Sequence, residues 1–116
     1  MGNRFHVLIV EDESAISEVL VAALVSHYRL STVGTVGDAT AVLRTTHIDL
    51  ALIDHLLPDG HGSAVARVAA ELGVPVIEMT GLPDYSVRLL PEHLRLCKPF
   101  GLQELCDKVE HTIGAL

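Results

Sequence analysis

Four short stretches carry the side chains able to do ionic chemistry: Glu11-Asp12-Glu13, Asp54, Thr80-Gly81 and Lys98-Pro99. Each follows a run that reads as a strand. Carboxylates placed together repel, and each is costly to ionise alone. A hard divalent cation removes that difficulty. Mg²⁺ takes oxygen ligands, keeps several waters and needs only one or two carboxylates. A remaining carboxylate can then attack a phosphoryl donor and become an aspartyl phosphate. Charge on the phosphoryl oxygens is met by the metal, an ammonium and a hydroxyl. Glu11, Asp12, Asp54, Thr80 and Lys98 would supply that set if the fold brought them to one place.

The intervening sequence predicts such a fold. His6 to Val10 is a short run rich in β-branched residues, the mark of a strand buried on both faces. Ser14 to Tyr28 has helical spacing, with Ile16, Val19, Leu20, Ala23 and Leu24 inward. Ser31 to Val36 is a weaker strand. Gly37-Asp38 opens a helix with Asp38 as N-cap and Ala39, Val42 and Leu43 inward. Asp49 to Asp54 is again a buried-strand run, and Leu57-Pro58-Asp59-Gly60 reads as a turn. Ser63 to Leu72 is helical and stops at Gly73. Val74 to Met79 and Leu94 to Cys97 complete the strands. Gln103 to Ile113 is the last helix, with Leu102, Leu105, Cys106, Val109 and Ile113 on one stripe.

A strand–helix unit repeated five times implies an α/β fold, a doubly wound parallel sheet with right-handed crossovers. Between Thr80 and Leu94, Pro83 and Pro91 bracket an aperiodic segment, so the fourth helix is expected to be short or irregular. Ligands of such sheets bind outside the carboxyl ends of the strands, where the four reactive stretches fall. The 116 residues predict one domain spanning 1–116. A content of 49 % hydrophobic and 20 % charged residues excludes a disordered, solvating chain. The net charge of −7 argues against a nucleic-acid-binding surface. No apolar run approaches the ~20 residues that span a bilayer, and no signal peptide opens the chain. Cys97 and Cys106 are too few for a disulfide framework and read as small apolar residues. A soluble protein in the reducing cytoplasm is expected.

With these stretches in place, the chain resembles the receiver domain of two-component response regulators. The likeness rests on Val7-Leu-Ile-Val-Glu11-Asp12-Glu13, on Asp49 to Gly62, on Met79-Thr80-Gly81 and on Lys98-Pro99-Phe100, in that order. It implies a flavodoxin-like (βα)5 fold with strand order 2-1-3-4-5. It implies that Asp54 accepts a phosphoryl group from a histidine kinase or a histidine phosphotransfer protein. Glu11, Asp12, Asp54 and the backbone carbonyl of Leu56 would hold Mg²⁺, while Thr80 and Lys98 would bind phosphoryl oxygens. Gly62, Gly81 and a cis Pro99 would serve the turns. No conventional turnover enzyme is implied, only autocatalytic phosphotransfer to Asp54 and autodephosphorylation, in which water hydrolyses the aspartyl phosphate. The output would be contact with a downstream protein, or passage of the phosphoryl group, by a receiver standing alone.

Two departures stand out. Arg95 occupies the switch position where the family usually has Phe or Tyr, so the usual aromatic rotation cannot operate. Arg95 is then either a solvent-facing strand residue or a partner contact. The span from Thr80 to Lys98 is short, and with Thr80-Gly81 it resembles the atypical FATGUY subgroup, whose partners are often HWE-type kinases; Glu78-Met79 and Leu82 depart from that pattern.

Plainer readings also exist. Glu13 suits a helix N-terminus, Asp49 the start of a strand and Asp59 turn chemistry. His55 and His61 lack zinc-ligand spacing and read as surface or pH-sensitive groups. Two alternative functions share these residues. A haloacid-dehalogenase-like phosphatase would want a second Asp at position 56, where Leu56 stands, and a longer chain. A pseudo-receiver, an interaction module never phosphorylated, would not need the intact Asp54, Thr80 and Lys98.

Overall fold

The computed structural model describes residues 4–80, 95–98 and 100–115. Strands β1 (His6–Val10), β2 (Arg29–Val33), β3 (Leu50–Asp54), β6 (Val76–Thr80) and β7 (Arg95–Cys97) form one sheet in the order β2-β1-β3-β6-β7. All its pairings are parallel. A two-stranded hairpin, β4 (Leu56–Leu57) with β5 (Gly60–His61), follows β3. Setting the hairpin aside, the order is the flavodoxin-like 2-1-3-4-5. The helices described are α1 (Ser14–Leu24), α2 (Val36–Thr45), α3 (Gly62–Glu71) and α4 (Leu102–Gly114). The expected irregular fourth helix, Gly81, Pro99 and the side chains of Arg95 and Cys97 lie outside the described residues.

Alternation along the central strands divides the core. Val7, Ile9, Leu50 and Leu52 meet Leu20 and Leu24 of α1 and Leu105 and Val109 of α4. Leu8, Val10, Ala51 and Ile53 meet Ala39 and Leu43 of α2 and Val65 and Ala69 of α3. Every residue of β1, β3 and β6 is buried, which is why these strands lack a polar alternation. Burying each Leu or Ile stabilises the fold by roughly 1.5–3 kcal/mol. Two layers of helices thus clamp the sheet and fix the ends of its strands.

Several expected boundaries shift. Helix α1 ends at Leu24, and Val19 faces outward at 49 % exposure. The inward stripe runs through Ile16, Leu20 and Leu24, four residues apart, and leaves Val19 to one side. Leu102, expected on the inward stripe of α4, is 51 % exposed in the first turn. The second strand runs from Arg29 to Val33, because the Arg29 N–H donates to Phe5 O at 2.9 Å and starts the pairing early. Asp38 is not the N-cap of α2. That role belongs to Thr35, whose Oγ1 accepts the Asp38 N–H at 3.0 Å. Gly73 does follow α3 in a left-handed conformation, φ +73°.

Candidate functional site

The strand ends bring the reactive side chains together. Glu11 stays in line with β1 because its N–H donates to Val33 O at 2.9 Å. Its side chain is buried, and one carboxylate oxygen accepts the Glu13 N–H at 3.3 Å. Asp12, one residue on, is exposed. Asp54 is the last residue of β3 and is buried. Lys98 follows β7, and its N–H donates to Thr80 O at 2.6 Å, prolonging the β6–β7 pairing. Its ammonium lies 3.1 Å from Glu11 Oε1 and 3.0 Å from Asp54 Oδ1. Oxygens of Glu11, Asp12 and Asp54 lie within 4.8 Å of one another. Thr80 closes β6, fully buried, one residue beyond the partner of Asp54 in the register.

The electrostatics follow from this crowding. Burial, reinforced by the charge of Asp54, holds the Glu11 carboxyl above the usual carboxylate range despite Lys98. Burial alone would lower Lys98, but hydrogen bonds and charge from Asp54 and Glu11 overcome it and raise the ammonium above its ordinary value. One ammonium thus serves two of three convergent carboxylates. An all-oxygen donor set with surplus negative charge fits a hard divalent cation such as Mg²⁺.

The chain leaving Asp54 is held closely. Gly62 opens α3 against the backbone of Asp54, and a Cβ there would run into Asp54 O and lie 2.9 Å from Ile53 Cγ2. Only glycine fits. Leu56 lies two residues past Asp54, in β4.

Two features escaped the sequence reading. Asp59 does more than shape its turn: its carboxylate accepts the N–H groups of Val36 at 2.7 Å and Gly37 at 3.1 Å, capping α2 from 22 residues away. Those two hydrogen bonds hold its carboxyl below the usual range. Nothing local to Asp59 announces so distant a contact. The second is His55, which is buried rather than on the surface, because it faces β6 and meets the buried Glu78. His55 Nδ1 and Glu78 Oε1 are 3.4 Å apart, an ion-pair contact longer than a well-formed hydrogen bond. Burial raises the Glu78 carboxyl, against the pull of His55. Here a signal existed: Glu78 is the single charge in the apolar run from Val74 to Met79. His61 is exposed as expected, its ring 5.8 Å from that of His55.

A family model described as the response regulator receiver domain matches residues 7–110. The swarming motility regulation protein RssB of Serratia marcescens is 33 % identical over 112 residues, 90 % of this chain and 51 % of its own length. The probable transcriptional regulator ycf27 of Cyanidium caldarium is 30 % identical over 117 residues, 95 % of this chain and 47 % of its own. The chain therefore spans about half the length of these curated relatives. Among solved structures, the non-phosphorylated HemR receiver domain of Leptospira biflexa superposes with a TM-score of 0.83 at 28 % identity, covering 95 % of this chain and 94 % of that one.

Proposed function

Because the chain belongs to the response-regulator receiver family, we propose that it is a phosphorylation-dependent signalling module with Asp54 as its phosphoacceptor. The observation that carries this reading is the contact of Lys98 Nζ with both Asp54 and Glu11 beside Asp12. Asp54 Oδ attacks the phosphorus of a phosphohistidine; the P–O bond forms as the P–N bond breaks, and the imidazole leaves. Lys98 pairs with one phosphoryl oxygen, and the Thr80 hydroxyl donates to another. Glu11, Asp12, Asp54 and the Leu56 carbonyl would hold Mg²⁺. The metal, when bound, supplies positive charge to the phosphoryl oxygens. The turnover phosphatase reading is disfavoured because the side chain two residues after Asp54 is Leu56, which cannot donate a proton.

The donor we propose is a cytoplasmic histidine kinase, of HWE type if the Thr80-Gly81 likeness holds, or a histidine phosphotransfer protein. The phosphorylated form then acts on a downstream protein or passes the group on. Acetyl phosphate and Mg²⁺ provide the test. The chain is expected to be labelled once, and Asp54→Asn to lose all labelling while its circular dichroism and melting temperature remain those of a folded protein. Labelling that persists in Asp54→Asn defeats the assignment.

A further inference from the structure

The phosphotransfer reading leaves one buried ionisable pair without a role. Glu78 is 2 % exposed and His55 4 %. Burying two such groups together is often no better for stability than an apolar pair of equal volume. Val76, Ile77 and Met79, the neighbours of Glu78 in β6, show that apolar side chains suit this strand.

The position of the pair is informative. His55 directly follows Asp54, and Leu56 directly follows His55. The His55 N–H donates to Met79 O at 2.9 Å, and its carbonyl accepts the Gly62 N–H at 2.8 Å. The imidazole adds a third tie, to Glu78. Glu78 lies opposite Ile53 in the β3–β6 register, two residues before Thr80. The turn leaving the phosphoacceptor is thus fastened twice to the strand that carries Thr80, once through backbone and once through side chains.

We infer that the Glu78–His55 contact is a positioning device, setting the turn of Asp54 and Leu56 against the end of β6 that carries Thr80. In this reading each residue acts through the groups it holds, as a positioning residue rather than a catalytic one. The inference rests on the phosphotransfer reading above. A small displacement of reacting groups costs rate steeply, whereas an apolar pair would hold the strands together without fixing the turn.

The test uses the full chain, labelled by acetyl phosphate over a range of Mg²⁺ concentrations at one pH. The double variant His55→Leu/Glu78→Met fills the same space with apolar groups, and its melting temperature is expected to equal or exceed that of the wild type. Its labelling is expected to slow about tenfold or more, while Glu78→Gln, which keeps an oxygen facing His55, stays within about threefold. Should the double variant not fold, Glu78→Met against Glu78→Gln makes the same comparison. Folded apolar variants that label as fast as the wild type overturn the positioning role and leave the phosphotransfer reading intact. A folded wild type that takes no label overturns that reading, and this inference with it.

Discussion

The two ends of the sheet carry similar residue types and treat them differently. At the amino end, Asp49 accepts the His6 N–H at 2.8 Å and meets His47 Nε2 at 2.9 Å. His6 Nε2 and Ser31 Oγ are 2.7 Å apart. These groups are paired at short hydrogen-bond distances. At the carboxyl end, Lys98 divides its charge between Glu11 and Asp54, Glu11 is held above its ordinary range, and Glu78 meets His55 only at 3.4 Å. The same strands, β1 and β3, run through both ends, so backbone geometry is not the difference. Polar groups at the amino end complete the fold. Those at the carboxyl end hold surplus negative charge, which suits a divalent cation.

Substitutions can break this division. The largest effect is expected from Lys98→Met, which removes the only ammonium seen among the described groups at the carboxyl end. Labelling by acetyl phosphate should slow by about 10²-fold or more, as when one preorganised donor is lost. A rate within a few fold of wild type would show that the charge pairing is incidental. Gly62→Ala comes next. Its added Cβ meets the backbone of Asp54, so urea unfolding should show a loss of about 3 kcal/mol, the upper part of the usual range for overpacking. An unchanged midpoint would mean that α3 can move away from β3 freely.

The converse experiment is at the amino end. Asp49→Ala leaves the His6 N–H without its acceptor and should cost about 1–3 kcal/mol in urea unfolding. Its labelling by acetyl phosphate should match the wild type; a slowed reaction would show that the two ends are coupled. The smallest effect is a pH dependence. Burial, aided by the charge of Arg29, lowers the pKa of His6 below 6.5. The unfolded chain then binds the proton more readily than the fold, so this contribution to stability is complete above pH 6.5 and is lost as pH falls through the folded pKa. In His6→Gln the melting temperature should therefore depend less on pH below 6.5 than in the wild type. Equal slopes would remove His6 as the cause.

The legible part of this protein was what repeats or stands out locally. The largely apolar runs before Glu11, Asp54 and Thr80 marked buried parallel strands, and their carboxyl ends located the site. Gly73 marked the stop of α3 because a left-handed residue must sit there. The reading failed where partners are distant in sequence. Asp38 looked like a cap by its position, but Asp59 supplies acceptors to Val36 and Gly37 across the fold, so α2 begins earlier, at Val36, with Thr35 as its cap. Val19 looked inward by periodicity, and one step around the helix put it in solvent.

By itself, the sequence determined the kind of fold and which acids, hydroxyl and ammonium would gather at one edge, because strand burial and the alternation of strand with helix follow from local hydrophobic pattern, and the order of the strands from the family resemblance. Only the tertiary structure decided how those groups share charge. The pairing of Lys98 with both Glu11 and Asp54, the fit of Gly62 against Asp54, and the meeting of His55 with Glu78 depend on ångström-scale separations between segments far apart in the chain. No local pattern encodes such distances; packing of the helices on the two sheet faces sets them.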